Sequence, residues 1–389
     1  MNSYDFELAK TRKDIAALEA ICQREPRDLE KGTRLAYRRY HQASLTESEF
    51  DFEGVEQTIV AIIRDFGPRE DICLLKANLD GRFHRLEQVK QDLRVCPSLA
   101  RRHAGRAIAA DLDFQEGRYE QARVAWEKLI EEDRTWDTLA RLAHWTGKMG
   151  ALEEADRLYQ EAEEGLTAKE LLSFAWLELQ RGALALSWGR LGEAKIHYQR
   201  AARSFSGYWQ TDKYMAELLA AEGDFEQAIR LLKSVVSRAP KPEFKQALGE
   251  ILMLAGRKEE ARPWSGAAVE AFLTSARGGA VHFYHHLADW YADLGGEPAQ
   301  AVQWARRDVL LRSNFSTQSA LAWALFKNGE VGEGLEWIRL ALSSGVKDAR
   351  IFARASILFD AAGEAAQGDY YAHVASEMNP YGRDLHVHS

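Results

Sequence analysis

The stretch 223–240, GDFEQAIRLLKSVVSRAP, decides how this chain is read, because close variants of it recur. They are GRYEQARVAWEKLI at 117–130, GALEEADRLYQEA at 150–162 and GRLGEAKIHYQRA at 189–201. Working outward from these, glycines stand at 117, 150, 189, 223, 256, 296, 329 and 363, spaced by 33, 39, 34, 33, 40, 33 and 34 residues. Five residues after each comes a small residue: Ala122, Ala155, Ala194, Ala228, Ala261, Ala301, Gly334 and Gly368. Seven residues before each lies another in all but one case: Ala110, Ala143, Gly182, Ala216, Gly249, Ala322 and Ser356, with Asp289 the exception. A glycine after a helix takes the left-handed conformation that ends it. Small residues on either side of the turn let two antiparallel helices approach closely. Apolar residues between the markers recur at three- and four-residue intervals, as in Ala122, Trp126 and Leu129. Each unit therefore reads as helix, glycine turn, helix.

The pattern resembles the tetratricopeptide repeat (TPR) family, whose second helix the four segments match. Ala239-Pro240 and Asn379-Pro380 are similar to that family's repeat-ending proline. The resemblance implies an all-α, right-handed superhelical solenoid of helix hairpins. We read eight TPR-like repeats over 103–380, a degenerate one over 67–102, a helical cap over 1–66 and a tail over 381–389. The degenerate repeat rests on Gly81, Phe83, Leu86 and Pro97; a fainter one over 37–68 rests on Phe50, Val60, Ile63 and Pro68. Residues 5–25 form one amphipathic helix with Leu8, Ile15, Leu18 and Ile21. The two long spacings place about six extra residues at 163–175 and 263–284, absorbed by a turn and a half of helix or by a loop. No cap follows the last helix, 364–378, so Tyr370, Tyr371 or Val374 could support self-association.

Composition narrows the function. The 389 residues carry a formal net charge of −8, which disfavours a bulk electrostatic grip on nucleic acid or an anionic membrane. Three cysteines, Cys22, Cys73 and Cys96, form no CxxC pair, so a reducing, cytoplasmic setting without a disulfide framework is expected. No secretory leader and no membrane-spanning run is read. No phosphate-binding glycine loop, nucleophile elbow or HExxH motif occurs, so no catalytic role and no cofactor are expected. His282, His285 and His286 share a helical spacing that could hold a metal, but surface imidazoles on an aromatic-rich helix start are preferred; the pair His386 and His388 is a looser case. Basic clusters lie at Lys31, Arg34, Arg38 and Arg39 and at Arg101, Arg102 and Arg106, and read as solvated faces or contacts to an acidic partner.

The resemblance further implies that ligands lie on the concave face formed by the first helices. The inward positions would then be Asp111, His144, Ala183, Glu217, Glu250, Trp290, Trp323 and Ile357. Trp290 and Trp323 should be neighbours, rimmed by His286, Asp293 and Lys327, with Lys213, Glu217 and Glu250 as a more charged zone. The Lys and Asn pattern by which chaperone-binding members hold a terminal carboxylate is missing: its places hold Ala107, Asp111, Arg141 and His144. A non-catalytic scaffold or adaptor for a protein or peptide partner is the leading expectation. A peptide- or ligand-responsive regulator, loosely resembling the Rap-type TPR proteins, is the alternative, and a metal-handling accessory protein the third.

Overall fold

The computed structural model describes residues 2–381; the tail histidines His386 and His388 lie outside them. Every regular element among these residues is an α-helix. The helices form two compact units, Met1–Leu112 with Ala202–Tyr208, and Asp113–Ala201 with Trp209–Ser389.

Unit 1 holds α1 (Ser3–Arg24), α2 (Leu29–Thr46), α3 (Glu49–Phe66), α4 (Glu70–Arg82), α5 (Leu86–Val95), α6 (Pro97–Arg101) and most of α7 (His103–Gln115). Its core joins Ala36 and Ala43 of α2, Phe52, Val55, Ile59 and Ile62 of α3, and Ile72, Leu75 and Leu79 of α4. Phe50 and Val60, two of the residues on which the fainter repeat rested, face solvent, at 79% and 55% exposure. The buried stripe of α3 runs through 52, 55, 59 and 62, which turns both residues outward. The degenerate turn is also shifted. Gly81 is helical, and His84 takes the left-handed conformation at φ 56°. His84 lies 33 residues before Gly117 and repeats its bonding. His84 N donates to Gly81 O and Arg85 N to Asp80 O, as Gly117 N does to Phe114 O and Arg118 N to Asp113 O.

In unit 2 the hairpins follow in order. A ends with α8 (Tyr119–Glu132); B is α9 (Trp136–Lys148) and α10 (Leu152–Glu164); C is α11 (Leu171–Ser187) and α12 (Leu191–Ser204). D is α13 (Trp209–Ala221) and α14 (Phe225–Arg238); E is α15 (Pro242–Leu254) and α16 (Lys258–Arg277). F is α17 (Tyr284–Asp293) and α18 (Pro298–Leu311); G is α19 (Phe315–Lys327) and α20 (Val331–Ser343); H is α21 (Ala349–Ala361) and α22 (Ala365–Met378). All eight marker glycines have positive φ, from 64° to 92°. The small residues beside them are where helices touch: a Cβ on Gly182 would overlap the Tyr198 ring, and one on Gly249 the Ser265 hydroxyl. Both irregular spacings lengthen helices, α11 to 17 residues after the segment 165–170, and α16 to 20 residues.

Unit 2 closes on itself. Hairpins F to H meet hairpins A to C across nearly 200 residues of sequence. Phe315 N donates to the Tyr119 hydroxyl at 2.6 Å, and Asn314 Nδ2 to Gln115 Oε1 at 3.1 Å. Lys347 N donates to Lys148 O at 2.7 Å. Asn379 Nδ2 donates to Leu186 O at 3.0 Å and Ser187 O at 3.2 Å. Apolar packing backs each seam: Tyr119 lies against Trp145 and Phe315, and Trp188 against the cluster of Phe352, Ala375 and Met378. The far end of the last hairpin is thus covered by hairpin C, while Tyr370 stays 60% exposed and Tyr371 stacks on Phe359.

Candidate binding site on the inner face of unit 2

The first helices of hairpins D to H carry a band of polar side chains. On α13, Lys213 and Glu217 are one turn apart and so share a face. They pair at 2.8 Å, both under a tenth exposed, with the Lys213 ammonium 4.1 Å from the Tyr214 ring centre. Burial raises the Glu217 carboxyl above its usual range, against the pull of Lys213. On α15, Gln246 Nε2 donates to Glu250 Oε1 at 2.8 Å. The Gln246 carbonyl oxygen lies 2.8 Å from His286 Nδ1 of α17, so that nitrogen carries the proton. Burial, with His286 stacked on Phe272, pulls the imidazole down to about 4 and keeps it neutral. Glu250 is pushed up to about 7, first by burial and then by Asp289 and Asp293, against Gln246 and Arg350.

Further along, Asp289 of α17 accepts from Arg354 of α21 at 2.8 Å and lies 3.3 Å from Arg350. This pair joins hairpins F and H directly, passing hairpin G. Asp293 accepts from the Trp323 indole nitrogen at 2.9 Å, with Lys327 Nζ at 3.5 Å. The Trp323 ring has Lys327 Nζ 5.1 Å and Arg354 Cζ 5.6 Å from its centre, within cation–π range.

Asp293, Trp323 and Lys327 are in direct contact at the accessible end of the band. Trp290 packs on the same apolar cluster as Trp323, but its ring meets Tyr291 edge-on and fills the space at Gly295, and its indole nitrogen is buried. Lys213 and Glu217 pair with each other, Glu250 with Gln246, and His286 with Gln246, its ring centre 4.1 Å from that of His285. His282 lies against Phe283, and no group of three His, Cys, Asp or Glu among the described residues is arranged to hold a metal ion. Gln246, Asp289, Arg350 and Arg354 were not legible as members of the band. Asp289 carried a signal, being the one marker position without a small residue.

No protein-family model and no curated protein matches the sequence. Among solved structures the chain is similar to the APC/C hetero-tetramer Cut9-Hcn1, with a TM-score of 0.48 and 13% identity over 92% of this chain and 73% of that one. It is also similar to a tetratricopeptide repeat protein from Parabacteroides merdae ATCC 43184, with a TM-score of 0.39 and 16% identity over 62% of this chain and 93% of that one. The fold is that of a TPR-type array of helix hairpins. Its own glycine turns and close-packed small residues carry that assignment. No helix among the described residues is long and apolar enough to cross a membrane.

Proposed function

We propose that this protein is a non-catalytic binding module that holds an extended segment of a protein partner at the Asp293–Trp323–Lys327 end of the inner face. The observation that carries the reading is the fixed indole of Trp323. Its nitrogen is already bound to Asp293 and its ring is bracketed by Lys327 and Arg354. An aromatic side chain held in place before binding costs little entropy to use, and a polar rim supplies orientation. The rest of the band is internally paired, which suits a rigid wall better than a reacting centre. A regulator that reads a short peptide or small ligand is the second reading, favoured by the closure of unit 2 on itself, which narrows what the inner face can admit.

Affinity capture with mass spectrometry, run on the parent chain and on Trp323→Ala and Lys327→Glu variants, tests the first reading. Partners specific to the parent should be lost from both variants, each shown folded by circular dichroism. Recovery of the same partners with both folded variants sinks the assignment.

A further inference from the structure

The two basic clusters in the sequence take no part in the inner face of unit 2, yet unit 1 brings members of both together. Arg34 and Arg38 stand one turn apart on α2 with Tyr37 between them. Tyr37 lines two adjoining clefts. One, of about 340 Å³, it shares with Arg34, Arg38 and His41. The other, of about 760 Å³, reaches Arg69 at the start of α4, and Arg102 and His103 at the start of α7. The Tyr37 hydroxyl donates to the Asp71 carbonyl oxygen at 3.0 Å, which fixes a ring that stays 40% exposed.

The charges here are not balanced. Arg34 and Arg69 are exposed and have no carboxylate partner among the described residues. Arg38 reaches Asp14 only at 3.5 Å. Arg102 is held by Glu70 at 2.9 Å, and Asp71 Oδ1 is occupied by the Ile72 N–H at 2.9 Å. Three guanidinium groups thus face one continuous surface of a chain whose net charge is −8.

We propose that this surface docks an acidic, extended segment of a protein partner. Guanidinium forks match carboxylates two bonds at a time, and an exposed phenol ring offers apolar area for the segment's backbone and stems. A nucleic acid fits less well. It asks for a longer basic track, whereas Glu70 and Asp71 line the same cleft. The surface lies within unit 1 and is independent of the inner-face reading.

The test uses the full chain and a fluorescein-labelled synthetic peptide of alternating Glu and Gly, read by fluorescence anisotropy at low salt. The parent should bind saturably and lose affinity as salt rises. An Arg34→Glu, Arg69→Glu double variant should bind at least about tenfold more weakly. Arg262→Glu, an exposed change on α16, should bind as the parent does. Should the double reversal misfold by circular dichroism, Arg34→Gln with Arg69→Gln must show the same loss. No binding by the parent, or equal binding by parent and folded double variant, overturns the proposal. Tighter binding of an oligothymidine, lost in the same variant, overturns it as well.

Discussion

Glu250 and His286 sit at opposite ends of one hydrogen-bonded chain through Gln246, and burial moves their protonation in opposite directions. For Glu250, the unfolded carboxyl titrates near 4.5 and the folded one near about 7. Between those values the folded state holds a proton the unfolded chain has released, so rising pH through that window weakens the fold. Glu250→Gln removes the dependence. Its melting temperature relative to the parent should therefore rise between about pH 5 and about pH 8, by scanning calorimetry. The imidazoles work the other way. Burial holds His144 at about 3 and His286 at about 4, below an ordinary 6.5, so the unfolded chain takes up protons first as pH falls. Acidification from about pH 6.5 to about pH 4 should lower the parent's melting temperature, and a His144→Gln, His286→Gln double variant should lose less over the same range. None of this was readable from sequence. That Glu250 faces inward follows from its register, but the charges acting on it include Asp289 and Arg350, which come from hairpins one and three further along.

At the scale of the hairpin, the sequence was legible because the constraints are local. A left-handed turn needs glycine within a few residues of where the helix ends, and a close helix crossing needs a small residue one or two turns away. Gly182 shows how strict the second condition is, and Gly266 on α16, with nothing near its missing Cβ, shows where it lapses. Gly182→Ala should destabilise by about 1–3 kcal/mol through overpacking on Tyr198. Gly266→Ala should stabilise by roughly 0.5–1 kcal/mol through helix propensity. Urea denaturation of the two variants separates the cases. The same logic explains the misreading at 81. A histidine in the left-handed conformation leaves no compositional mark, so the nearest glycine drew the turn three residues early. Phe50 and Val60 misled for a related reason: an apolar residue on a helix announces burial only if its neighbours share its phase.

For unit 2 as a whole, the deciding contacts are those between hairpins A to C and F to H, and no periodicity announces them. Asn379 is the clearest. It is 4% exposed and binds the carbonyl oxygens of Leu186 and Ser187. Asn379→Ala leaves both without that donor and should cost about 1–3 kcal/mol. An open array would confine the damage to the last hairpin, since each unit touches only its neighbours. Here, hydrogen exchange followed by mass spectrometry should show faster exchange at the hairpin C turn, around Leu186–Arg190, as well as at hairpin H. Exchange confined to hairpin H would show that the seam carries no stability. The seam has a further consequence, for how such a gene can change. Ordinary solenoids lengthen or shorten by duplication or deletion of a unit, with the remainder left undisturbed. In this chain an added or lost hairpin between Ser187 and Asn314 would carry each partner in the seam past its mate. The number of hairpins in that stretch is therefore fixed as firmly as any side chain in it, and divergence must proceed by substitution.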